Sequence, residues 1–454
     1  MKKGIVSLLA VTTVLMGTGA VSAESLEEAL AAAYESNPQL MAQRAALRAT
    51  DEGVSQANSG FLPNLSGTYT YSERKGTQGS GSVVDTIDTQ SDTYQLSLSQ
   101  NLFNGFQDRH ALRGAKNSVM AGRAQLQSVE QQVLLDAVTA YMNVLRDEAV
   151  VDLNKNNVQV LERQLQASQD RFRVGEVTRT DVAQSEARLE GAKSSLLTAE
   201  ATLAASRAQY RRVVGHTPAG LDTPTGQPAL PASLDEAIEI AMEMSPGVIA
   251  ARYNEKAANE SVKQARGALL PSVDAFARWD KSTTDGNAAF TLSQSDETRI
   301  GVQVSVPIFQ GGARYSSVRR AKQTRSQRLM DIRQAERVAQ ENVFVAWDQY
   351  RAAVGQIKST EAQVRASEIA LEGVRQEAYV GSRTTLDVLN AEQELLNARV
   401  ALVRAQRDEA VTAYSLVSAV GKLTAKDLRL GVAAYNPERY YDKVDTKFIG
   451  TDIE

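Results

Sequence analysis

The sequence predicts a mainly α-helical protein that also supplies strands to a membrane β-barrel, the barrel continuous with a long coiled-coil wall. Three observations carry that prediction. The chain is two copies of one unit, each copy holds a proline-free stretch of about 67 residues, and each holds two segments in which apolar and polar residues alternate. Composition agrees: of 454 residues 43% are hydrophobic and only 6% aromatic, with 29 Gly and 10 Pro. That is the balance of long helices, and it excludes collagen-like and disordered chains.

From the N-terminus, Lys2-Lys3 precede a nearly apolar run over 5–16, and Val21-Ser22-Ala23 supplies small residues before Glu24. Residues 1–23 therefore predict a secretory leader. The run is too short to cross ~30 Å of hydrocarbon, and no later segment approaches 18 apolar residues. An exported chain of this kind belongs in the periplasm, outside the cell, or in an outer-membrane barrel. The formal charge is −4, and losing Lys2 and Lys3 with the leader makes it −6. So mild a balance argues against nucleic acid as a partner. The absence of cysteine removes disulfides, thiolate metal sites, cysteine nucleophiles and a lipidated N-terminal Cys. Two histidines, His110 and His216, cannot build a histidine-rich metal centre, and no cofactor is expected.

The repeat is ordered along the chain. Ser25-Leu-Glu-Glu-Ala-Leu30 recurs as Ser233-Leu-Asp-Glu-Ala-Ile238, Pro38 matches Pro246, and Leu62-Pro63 matches Leu270-Pro271. Further on, Phe103 matches Phe309, Gly105 matches Gly311, Val174-Gly175 matches Val380-Gly381, and Asp181-Val182 matches Asp387-Val388. The first repeat is 24–215 and the second 233–421. Between them, 216–232 holds four of the ten prolines, an extended linker. The tail, 422–454, carries Tyr435, Tyr440 and Tyr441; it either packs around the waist of the molecule or is partly disordered.

Each copy opens on a helical region. In the first, Ser25 and Glu28 stand in capping-box spacing, Pro38 interrupts, and Leu62-Pro63 ends it. Strands are expected at about 64–73 and 93–103, and in the second copy at about 272–281 and 298–309, because one side of each is apolar and the other polar. The polar connections 73–92 and 281–297 are expected as long outward loops. Long helices follow at 107–173 and 313–379, each about 100 Å at 1.5 Å per residue. Between Leu329 and Ala378, fifteen positions alternate in steps of three and four; twelve are apolar, and Glu336, Thr360 and Ser367 are the exceptions. A 3.5-residue repeat winds helices into a left-handed coil. The first copy keeps it over 112–133 and 158–172 and is looser between. Return helices at 180–213 and 386–419 have half the length, so two short helices stacked end to end match each long one.

Four strands, apolar on one face and polar on the other, suit a barrel wall between lipid and water. They cannot close alone, and open edges are not tolerated in hydrocarbon. Several chains must therefore share one barrel, at least two.

The paired strands, long helices and the turns Val174-Gly-Glu-Val-Thr-Arg-Thr-Asp-Val182 and Val380-Gly-Ser-Arg-Thr-Thr-Leu-Asp-Val388 resemble the TolC family of outer-membrane exit ducts, over nearly the whole mature chain. The resemblance implies a homotrimer with a twelve-stranded barrel in outer-membrane lipid and a periplasmic helical tunnel. It implies partners too: a periplasmic adaptor, and an inner-membrane transporter that is an ABC exporter or a proton-driven pump. Thr178 and Asp181, like Thr384 and Asp387, are spaced as helix starts, where threonine caps and aspartate takes the first turn. By resemblance, Asp387 lines the aperture, while Thr180, Asp181 and Arg383 make the links that hold the tips shut. A ring of such carboxylates would attract cations and raise its own pKa values by mutual repulsion. The family's second aperture aspartate is Asn390 here, and its linking tyrosine falls at Ala378, beside Tyr379.

No catalytic grouping is legible. Gly215-His-Thr-Pro-Ala-Gly220 has phosphate-loop spacing, but Leu221 follows where lysine is required. The sequence predicts no enzyme. The competing expectation is a soluble periplasmic coiled-coil adaptor without a pore.

Overall fold

The computed structural model describes residues 23–80, 83–224, 226–286 and 293–453. The predicted leader, apart from Ala23, and the outermost parts of both polar connections lie outside the described residues. Helix α1 (Leu26–Ser36) starts at a reciprocal cap: Glu28 N donates to Ser25 Oγ at 3.2 Å and Ser25 N to Glu28 Oε2 at 2.8 Å. Pro38 then opens α2 (Pro38–Asn58), where a missing N–H costs nothing. Strands β1 (Asn64–Ser80) and β2 (Val83–Phe103) lead into α3 (Gln107–Arg173) and α4 (Arg179–Val214). The second repeat gives α5 (Leu234–Met244), α6 (Pro246–Gly267), β3 (Ser272–Gly286), β4 (Ser293–Ser305), α7 (Ala313–Tyr379) and α8 (Thr385–Ala419), and α9 (Glu438–Val444) lies in the tail.

The helices form a wall four columns wide. Beside α3, α2 packs along the half nearest the strands and α4 along the other half; α6 and α8 do the same between α3 and α7. The α1–α2 corner is stitched to the end of α4 by Asn37 Nδ2 to the Val213 carbonyl and Ser36 Oγ to the Val214 carbonyl, both at 3.0 Å. At the strand-to-helix corner Gly105 (φ 68°) lies against Gly267, where a Cβ on either residue would strike the other's backbone. Where the wall ends, at α7, Met330, Phe344, Val345 and Ile369 are exposed.

The main core lies at the waist. Leu30, Leu134, Ala137, Val138, Tyr141, Val214 and Leu423 are within 2% of full burial. The loose middle of the first heptad pattern falls here, because α3 is covered by α1, α4 and the tail at once and needs apolar residues all round, not a stripe. Leu423, Ala425 and Leu430 join this core, so the start of the tail is packed.

The four strands form one antiparallel sheet in the order β1-β2-β3-β4. Leu65 lies opposite Leu98, Leu98 opposite Ala277, and Ala277 opposite Ile300, so one face is continuously apolar. The other face is a polar ladder: Gln95 Nε2 donates to Asp280 at 2.9 Å, Asn101 Nδ2 to Asp274 at 2.9 Å, and Thr93 and Ser282 hydroxyls meet at 3.2 Å. The strands correct the predicted extents. Pairing of β1 and β2 continues through Ser80 and Val83, and that of β3 and β4 through Thr284 and Ser293, so most of both predicted loops is strand. The segments beyond Tyr71 and Trp279 are polar on both faces, which erases the alternation signal while the backbone ladder persists. At the other end β4 stops at Ser305 instead of 309, because Pro307 has no N–H for the ladder.

Candidate functional site

The wall ends, opposite the strands, in two helix–turn–helix tips. Each long helix stops at a residue in a bridging conformation followed by a glycine with positive φ, Gly175 (84°) or Gly381 (81°). The glycine lets the chain turn back without Cβ strain while its neighbours satisfy the last carbonyls: Glu176 N bonds Arg171 O and Ser382 N bonds Glu377 O, both at 2.9 Å.

The return helices begin with two matching caps. Thr178 N and Oγ1 donate to Asp181 Oδ2 at 2.9 and 2.7 Å, and Asp181 N returns a bond to Thr178 Oγ1 at 3.3 Å. Thr384 and Asp387 repeat this at 3.0, 2.8 and 3.3 Å. These donors hold both carboxyls below the usual aspartate range: for Asp181 the Thr178 hydroxyl contributes most, for Asp387 the Thr384 backbone N–H. Within one chain the caps therefore act opposite to the upward shift expected of a carboxylate ring.

Between the tips is a groove of about 640 Å³, lined by Arg171, Asp181, Arg375, Tyr379, Arg383 and Thr384 among others. It brings Asp181 and Arg383 to one cleft; Thr180 and Asp387 lie outside its lining, with Thr180 exposed. Arg383 Nε donates to Glu377 at 2.8 Å, which raises the guanidinium's pKa further. Asn390 accepts a bond from Arg188 Nη2 at 2.8 Å, tying the start of α8 to α4 across the repeats. Arg375 pairs with Glu392, and Arg399 with Glu368 at 2.8 Å, fastening α7 to α8. Tyr379 is 82% exposed and Ala378 half-buried.

Glu377 and Arg188 were not among the predicted site residues. Their roles depend on which helix faces which, information that spacing along one helix does not hold. Among the described residues no group of three or more His, Asp or Glu side chains is placed to hold a metal ion. Among them, too, no helix is long and apolar enough to cross a membrane, which says nothing of the sheet.

Comparison with known proteins gives one consistent result. The family described as "Outer membrane efflux protein" matches residues 29–216 and again 237–422, once per repeat. The chain is 36% identical to the outer membrane efflux protein BepC of Brucella suis, over 96% of this chain and 94% of that one. It is 27% identical to the outer membrane protein TolC of Escherichia coli (89% and 84% covered). It is 26% identical to the alkaline protease secretion protein AprF of Pseudomonas aeruginosa (89% and 85%). In fold it is similar to the Campylobacter jejuni CmeC outer membrane channel, with a TM-score of 0.77 at 17% identity over 93% of this chain and 89% of that one. It is also similar to the Vibrio cholerae outer membrane protein VceC, at 0.73 and 21% over 87% and 96%.

Proposed function

The chain belongs to the outer membrane efflux protein family, the TolC family of outer-membrane ducts, and on that premise we propose how this member closes, docks and gates. It is an exit duct of the outer membrane with its helical wall in the periplasm, and its cargo is protein or small toxic compounds. One observation carries the closure: a four-stranded sheet with an apolar face has two open edges, β1 and β4, that hydrocarbon does not tolerate. Three copies pairing β4 of one with β1 of the next make twelve strands and no edge. The exposed apolar residues of α7 are covered by the free flank of α2 and α4 in the neighbouring copy.

The energy comes from outside the duct, from an inner-membrane ABC exporter or proton-driven pump reached through a periplasmic adaptor that seats in the groove between the tips. The aperture is ringed by Asp387, and the tips are held by Thr180, Asp181 and Arg383. Arg383 is already committed to Glu377 within its own chain, so opening exchanges one ion pair for another. The second aperture position holds Asn390, committed to Arg188, which leaves this duct one charge ring fewer.

The test is detergent extraction of the outer membrane, native mass measurement, and planar-bilayer recording on the same material. Three chains per particle and a cation-preferring conductance are expected. A monomer released without detergent and silent in the bilayer would instead support the soluble adaptor.

A further inference from the structure

The tail is held against α1, α2 and α3 by a row of polar contacts. Tyr435 N donates to Tyr34 Oη at 2.9 Å, Tyr440 Oη to Glu52 at 2.6 Å, Asn58 Nδ2 to the Asp445 carbonyl at 3.0 Å, and Ser55 Oγ to the Lys447 carbonyl at 3.0 Å. Arg123 of α3 donates to Glu438 at 3.0 Å and lies 5.5 Å from the Tyr441 ring. In the same region Asp51 is 0% exposed, and neither of its carboxyl oxygens has a hydrogen-bond partner. Nε of Arg123 and Nε of Arg44 are likewise buried without one.

A carboxylate buried without partners is costly, whereas its neutral acid is tolerated far better. The charged and titratable groups around Asp51 are Arg44, Arg48 and Glu52 on α2, Arg123 on α3, and Tyr435 and Tyr440 in the tail, with Glu438 and Tyr441 on the other side of Arg123. Burial outweighs the attraction of Arg123 and pushes Asp51 up to about 6.

We propose that residues 435–447 are a proton-dependent strap: with Asp51 neutral, Arg123 serves Glu438 and the strap lies closed, and when Asp51 gives its proton to solvent Arg123 turns to it and releases Glu438 and Tyr441. The closed form binds the proton more tightly than the open form. Closure is therefore fully favoured below the ordinary aspartate range and is lost as pH rises through about 6. A rise of roughly two pH units in affinity corresponds to a change of about 100-fold in the closed-to-open ratio at most.

The experiment is hydrogen exchange of residues 435–447 in the detergent-purified full-length protein at a series of pH values from 5 to 8, corrected for the intrinsic exchange rate. Wild type is expected to lose protection by about 10-fold between pH 5 and pH 8, the rest of the full range lying below pH 5. Asp51→Asn should stay closed throughout. Glu52→Gln should loosen the strap and, because the Glu52 charge helps to raise Asp51, lower the midpoint while keeping the pH dependence. A flat wild-type profile, an Asp51→Asn profile that follows wild type, or a midpoint that vanishes in Glu52→Gln would each overturn the proposal. If Asp51→Asn does not assemble, the wild-type and Glu52→Gln profiles decide the matter.

Discussion

Asp387 has two possible jobs, helix cap and aperture charge, and a pair of substitutions separates them. Thr384→Ala removes the hydroxyl that accepts from Asp387 N and the donor that reaches Asp387 Oδ2 at 2.8 Å, but leaves the charge. Loss of a threonine N-cap costs about 1 kcal/mol, which is about a fivefold increase in local opening of the first turn of α8. Asp387→Asn keeps an oxygen where Thr384 N donates at 3.0 Å, so the cap survives, but every copy loses one negative charge. The assays are hydrogen exchange over residues 385–392 and block of single-channel current by a trivalent cation. Thr384→Ala should exchange about five times faster in that turn and retain block. Asp387→Asn should exchange almost as wild type and lose block. Thr178→Ala, the matching cap, supplies the control for generic loosening of a tip. Should Asp387→Asn be blocked as well as wild type, the aspartate is a cap alone and the charge-ring reasoning fails.

Other substitutions probe the remaining links. Arg383→Ser with Thr180→Val, in a properly trimeric protein, should raise single-channel conductance; unchanged conductance would count against the tip links. Because Asp387 is held below the usual aspartate range, its cap is intact above about pH 4 and is lost only as pH falls through the lowered value, so cation block should be the same at pH 8 and pH 5. Leu134→Ala, fully buried at the waist, should cost about 2–5 kcal/mol, read as a lower midpoint of thermal unfolding followed by the helical circular-dichroism signal. Val302→Arg, on the apolar face of β4, should cost about 2–4 kcal/mol near mid-membrane and lower the amount of protein assembled in the outer membrane.

Much of the helical architecture was legible because long helices announce themselves by what they lack. Two proline-free stretches end at Val-Gly turns, and the structure ends α3 and α7 at those turns. In α7, buried Ala339, Val343, Ala346, Ala353, Thr360 and Leu371 all stand on the 3.5-residue seam, Thr360 included, because its hydroxyl bonds back to the Gln356 carbonyl at 2.9 Å. Thr178, Asp181, Thr384 and Asp387 could be placed as caps for a similar reason: a cap is a contact over three residues. Contacts between elements were not legible. Nothing local says that Arg383 turns to Glu377, that Arg188 claims Asn390, or that Asp51 is covered by a tail some 390 residues away. The strand extents failed for a different reason. Amphipathic alternation reports the bilayer's two faces, and it ends where the bilayer ends, although backbone pairing has no cause to stop there.

That continued pairing gives the cell surface a particular topography. From Tyr71 to Ser80 a strand rising 3.3 Å per residue adds about 30 Å, or roughly 20–25 Å of height once tilted. An antibody or phage arriving from outside therefore meets laddered backbone along the described rows, out to Ser80 with Val83 and Thr284 with Ser293. Epitope tags inserted anywhere along 72–80 or 83–93 would break rungs of this ladder, and the cost of each would grow with the number of paired rows beyond it.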